Sequence, residues 1–236
     1  MRESSAQLTL PRGLIFFAAV WLIASWVMTI GLRAPVQPSS ASYTPKVRLM
    51  MLCVAIGAMI GWPLLRLSQR KPAMPVRQTL LDLLVIVALI QVVIWPLRLV
   101  TTWSAMRTAA IEAALLGWLL LAGAVVAAAI IADKRGPRNL AMIASVAMCL
   151  LGPFLAWIGV MSGLHAMQLV SLSPLMAVRT LGEGTGPNPT ASQWSLIALL
   201  GIADVLAWCA LGVTMLVSRR PNDIAAVSQQ SMSETH

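Results

Sequence analysis

Six long apolar runs, separated by short polar connectors, set the pattern of this chain. They cover residues 13–31, 47–67, 78–99, 108–132, 139–163 and 194–218. Each is about the length an α-helix needs to cross roughly 30 Å of hydrocarbon. The pattern predicts an all-α fold: one membrane domain over residues 1–218, built as a bundle of six transmembrane helices. Arg33–Lys46, rich in Pro, Ser and Ala, reads as a loop. The tail Arg219–His236 holds too little apolar content to fold alone and is expected to be disordered.

Two interruptions sit inside the runs. Gly57-Ala-Met-Ile-Gly61 places two bare backbone patches on one helix face, a spacing that lets a second helix approach closely. Gly152-Pro153 lies inside the fifth run, where the missing amide and the proline ring predict a kink. Trp62, Trp95, Trp103 and Trp194 fall near predicted span ends, where an indole prefers the headgroup level. The echo between Trp62-Pro63-Leu64-Leu65-Arg66 and Trp95-Pro96-Leu97-Arg98 reads as two such anchors rather than an internal repeat.

Composition agrees with the pattern. Of the 236 residues 58% are hydrophobic and 11% charged, against roughly 25% charged in soluble domains. The net charge of +9 does not point to nucleic acid, because the 17 Lys and Arg sit mainly in connectors and at helix ends. Counted alternately, eleven fall in the N-terminus, second loop, fourth loop and C-terminus, and six in the other loops. Both termini are therefore expected in the cytoplasm, with the protein in the inner membrane. The first run exceeds a signal-peptide core and Leu32-Arg33-Ala34 is a poor cleavage site, so it is read as a retained span.

Little in the chain points to catalysis. Cys53, Cys149 and Cys209 lie in apolar runs without metal-ligand spacing and read as small core residues. There is no HExxH, no GxSxG and no P-loop, and Gly182–Pro189 reads as turn chemistry. His165 is the one histidine near the bilayer, too few for a transmembrane haem, and no span carries a retinal lysine. No cofactor, no metal and no enzymatic activity are expected.

The polar residues inside the spans carry the remaining signal. A carboxylate at a span centre costs about 2.5–3.5 kcal/mol on insertion scales, so Asp204 is expected to face protein, a partner or water. Gly201, Asp204, Trp208 and Gly212 share a helical spacing that marks this protein-facing side. Gln91 and Asp204 both fall about 3 Å from the predicted midplane on the same side, so they are expected to meet. Two roles stay open for Asp204, structural glue or a titrating, cation-coordinating group. Glu112, with Arg98 and Arg107 as partners, and Asp82, near Arg77 and the second loop, read as helix-end electrostatics. Arg66, Arg70, Lys71 and Arg77 make the second loop the most basic one.

The segment Leu172-Ser173-Pro174-Leu175-Met176-Ala177-Val178, between the last two of six spans, resembles the corresponding segment in membrane subunits of ABC-2-type transporters. The resemblance implies short helices there that dip back toward the bilayer. It also implies a separate ATPase subunit docking on the loop Leu67–Arg77, and an oligomer or hetero-complex. On this reading the chain is a non-enzymatic permease subunit. The alternative is a structural or assembly subunit with no solute path.

Overall fold

The computed structural model describes residues 11–32, 39–162, 173–184, 186 and 188–233, with side chains to residue 215. Among the described residues there are seven α-helices and no strand. Six are long and apolar enough to span a membrane: α1 (Arg12–Thr29), α2 (Ser40–Ser68), α3 (Pro75–Arg98), α4 (Ala105–Ala132), α5 (Arg135–Ser162) and α7 (Ala191–Ser233, apolar over Ala191–Met215). The seventh, α6 (Pro174–Glu183), has ten residues. The chain is thus an all-helical integral membrane protein of six spans, as its hydropathy predicts.

Two boundaries differ from expectation. The second span begins at Ser40, not Val47, because Ser39 and Ser42 form a reciprocal capping box that starts the helix within the presumed loop. Thr44 supports this first turn by donating to the Ser40 carbonyl at 2.6 Å. At the other end, α7 continues to Ser233, where a disordered tail is expected. No glycine follows Gly212, so the usual left-handed C-terminal stop is missing.

Contacts between connectors define two ends of the bundle. At the basic end, Lys71 Nζ lies 3.2 Å from Asp133 Oδ2 and Arg138 Nη2 lies 3.5 Å from Asp133 Oδ1. Asp133 closes the turn between α4 and α5 with a φ of 50°, a conformation Asp tolerates better than most residues. At the opposite end, Thr102 N donates to Thr44 Oγ1 at 3.3 Å.

The core is centred on α4, which packs against α2, α3, α5, α6 and α7. Its many Ala and Gly residues let neighbours come close, since small side chains are what permit tight helix contact in lipid. Gly117 faces Leu200 of α7, and Gly123 faces Leu83 of α3 and Trp208 of α7. Trp208 Nε1 also donates to the Leu120 carbonyl at 3.2 Å. By contrast α1, α5 and α7 expose large apolar side chains such as Phe16, Ile23, Ile143, Phe154, Leu199 and Val205. Facing hydrocarbon, those side chains need no further partner.

The Gly57/Gly61 spacing serves packing. Residues 57–61 form a π-helical turn inside α2, and the aromatic rings of α1 lie on the two glycines, Trp21 on Gly57 and Phe17 on Gly61. Trp21 Nε1 further donates to the Cys53 carbonyl at 2.8 Å. Several side chains depart from their expected places. Trp62 and Trp103 are buried rather than interfacial, while Trp95 and Trp194 are exposed as anchors should be. Cys149 is buried, but Cys209 is exposed and is not a core residue.

Candidate functional site

The intramembrane polar residues separate into three centres, and the predicted Gln91–Asp204 pair is not among them. Gln91 lies seven residues from the far end of α3, and Asp204 lies thirteen residues into α7. At 1.5 Å per residue that places them about 9 Å apart in depth. Hydropathy places the span limits at Trp194 and Leu99, whereas the helices start and end at Ala191 and Arg98, which separates the two side chains in depth.

Gln91 instead pairs with Glu112, also seven residues from the same end, on α4. Gln91 Nε2 donates to Glu112 Oε1, and Trp95 Nε1 donates to Glu112 Oε2 at 3.1 Å. The expected partners Arg98 and Arg107 are not used. Both Glu112 oxygens therefore find uncharged N–H donors at the rim between α3 and α4.

Arg107 has a different task. It is buried, and its guanidinium donates to the carbonyls of Leu181 at 2.6 Å, of Gly186, and of Asn188 at 3.3 Å. Leu181 is in the last turn of α6, so the cation sits where the helix dipole is negative and the terminal carbonyls are unmet. Trp103 Nε1 adds a bond to the Gly182 carbonyl at 3.3 Å. Arg48 also reaches this corner, against Gly182.

The other end of α6 is held by an atom that a proline sets free. Pro153 in α5 has no N–H, so the Cys149 carbonyl four residues earlier loses its helical donor. The hydroxyl of Ser173, fully buried just before α6, donates to that carbonyl at 3.0 Å. Cys149 is at the middle of α5. Thus α6 begins at about half the depth of the bundle and rises to the end where Arg107 waits, wedged against α2, α4 and α5. Non-helical backbone at such depth is tolerated only inside protein.

The second centre lies near the basic end. Asp82 is buried, with Oδ2 at 3.2 Å from Arg66 Nε and Oδ1 accepting from Gln78 Nε2 at 3.1 Å. The Arg66 contact has ion-pair distance without hydrogen-bond alignment. Asp82 thus takes its partner from the second loop region, but Arg66 and not Arg77. Arg66 is consequently turned inward, whereas Arg70, Lys71 and Arg77 remain exposed. Arg66 and Asp82 border a cavity of about 300 Å³.

Asp204 is the third centre. It is buried against α4 at Gly117, and its Oδ1 has no hydrogen-bond partner among the described residues. The protein-facing side of α7 runs through Leu200, Asp204, Trp208 and Leu211; Gly201 and Gly212 are exposed and lie off it. His165 lies outside the described residues, as do Leu172, Thr185 and Pro187 of the segments singled out above. Among the described residues no three of His, Cys, Asp and Glu gather as a metal site.

Sequence reasoning missed Ser173 and Arg107. A findable signal existed for the first: a proline inside a span always frees the carbonyl four residues before it. Comparison with known proteins finds no matching family model, no matching curated protein and no matching solved structure.

Proposed function

We propose that the chain is a non-enzymatic permease subunit of the inner membrane, working with a separate ATPase, with both termini cytoplasmic. The observation that supports this reading best is α6, a half-depth helix between the last two spans. A helix that enters from one side and stops midway costs buried polar backbone, and transport proteins use such interrupted elements to build a path. Its shape is also what the ABC-2-type resemblance implies. Asp204, a carboxylate of α7 buried against α4 at Gly117, supplies an intramembrane group of the kind that lines passages. The exposed Arg70, Lys71 and Arg77 offer the ATPase a basic surface.

The reading is tested by purifying the full chain in mild detergent. An ATPase subunit should co-purify in fixed ratio and be lost when Arg70, Lys71 and Arg77 are all changed to Gln. Recovery in a larger assembly without nucleotide hydrolysis would instead favour a structural subunit. That second reading draws on the broad apolar faces of α1, α5 and α7, which would accept partner helices as readily as lipid.

A further inference from the structure

The cavity at the basic end has a polar wall and an unmet charge. It lies between the start of α1, the end of α2 and the first turns of α3, with Arg12, Arg66, Gln69, Gln78 and Asp82 contributing the polar lining. The Arg66 side chain is 10% exposed. Its Nη1 donates to Gln69 Oε1 at 2.8 Å, and its Nε faces Asp82. Its Nη2 is buried without a partner among the described residues. A buried guanidinium N–H left unmet is costly, more so than a neutral one. Two arginines against one carboxylate give the charged lining an excess of one positive charge.

A second, apolar slot adjoins this cavity. It is narrow, about 40 Å³, and runs along α1, α2 and α3 beside Phe17, Trp21, Ile86 and Ile90. Leu14 and Trp62 line both spaces, so the polar cavity and the slot are neighbours. The slot passes Gly57 and Ala58 in the π-turn of α2, and π-turns inserted in helices recur at functional sites. A polar chamber with one surplus positive charge, next to a thin hydrocarbon-lined groove, has the form of an amphiphile carrying a single negative charge at its head.

We propose that this composite site binds one anionic phospholipid, its phosphodiester in the cavity against the guanidinium groups of Arg12 and Arg66 and the first carbons of one acyl chain at the slot between α1 and α3. Phosphate oxygens would accept charge-assisted bonds from the exposed Arg12 guanidinium, the strong class of hydrogen bond, with the positive charge of Arg66 beside them. Depth agrees with this: the cavity is at a helix end, where headgroups lie, and the slot leads toward the bundle centre. The site is independent of α6 and Asp204, so it stands whether or not the chain is a permease.

The full chain, in micelles holding equal phosphatidylglycerol and phosphatidylcholine, tests this by native mass spectrometry. One phosphatidylglycerol per chain should be retained, with about tenfold preference over phosphatidylcholine. Arg12→Gln, an exposed change that leaves the Arg66–Asp82 pair intact, should lower that preference about fivefold. Arg66→Gln should abolish it; if that variant fails to fold, Arg12→Gln alone decides. Inorganic phosphate at millimolar concentration should not displace the lipid. Equal retention of the two lipids, a preference that Arg12→Gln leaves untouched, or displacement by inorganic phosphate alone would each overturn the proposal. So would a variant lacking residues 2–10 that binds phosphatidylglycerol when the full chain does not, since the N-terminal segment would then be the native occupant.

Discussion

Ser173 and Pro153 should behave as a coupled pair although they sit on different elements. Changing Ser173 to Ala removes the hydroxyl that donates to the Cys149 carbonyl at 3.0 Å. With the serine at 0% exposure, water does not take its place. An unmet buried acceptor costs about 1–3 kcal/mol, and interhelical hydrogen bonds in membranes reach about 1.7 kcal/mol at most. A loss of about 1–1.5 kcal/mol is therefore expected. In a Pro153→Ala background the restored amide of residue 153 supplies the Cys149 carbonyl from within α5, so the same serine change should cost only a few tenths. The coupling of about 1 kcal/mol exceeds the roughly 0.3–0.5 kcal/mol scatter of independent sites. Dodecyl sulfate titration of the detergent-purified protein, followed by circular dichroism and tryptophan fluorescence, measures all four corners of the cycle. Equal cost of Ser173→Ala in both backgrounds would refute the role assigned to the proline.

Three further outcomes follow from contacts described above. Asp82→Asn should destabilise by about 3 kcal/mol by leaving Arg66 buried without a counter-charge, and the pair Asp82→Leu with Arg66→Met should recover most of it in the same titration. Gly57→Ala puts a methyl group where the Trp21 indole lies and breaks its bond to Cys53, costing about 1–3 kcal/mol, whereas Gly212→Ala, with open space around it, should be neutral. Arg107→Lys cannot reproduce a fork that serves three carbonyls; faster proteolysis between α5 and α7, with the other connectors unchanged, is the expected readout.

The spans were legible because twenty apolar residues in lipid leave the backbone one cheap solution. Their partners were less so. Gln91 and Asp204 looked level because the span limits were placed by hydropathy, and an error of three residues at one helix start moves a side chain about 4.5 Å in depth. Ser39 and Ser42 were read as loop chemistry, since a capping box in a polar stretch looks like any serine-rich turn. Arg66 was grouped with a surface loop because its neighbours in sequence are solvated; only the fold shows that the last turns of α2 aim it at Asp82. The π-turn over residues 57–61 left no trace beyond its two glycines, and it decides which way everything beyond it points.

The central place of α4 has a consequence for biosynthesis. It leaves the ribosome after α1, α2 and α3, so these three enter the membrane before the helix most of the bundle closes around exists. Until then α3 lacks the neighbour that covers Leu83, and the Asp82–Arg66 pair with the α1 rings on α2 must hold the early trio together. The order of synthesis thus makes the basic end the first part of the molecule able to assemble, and lets α6 wedge in only after α2, α4 and α5 are all in place.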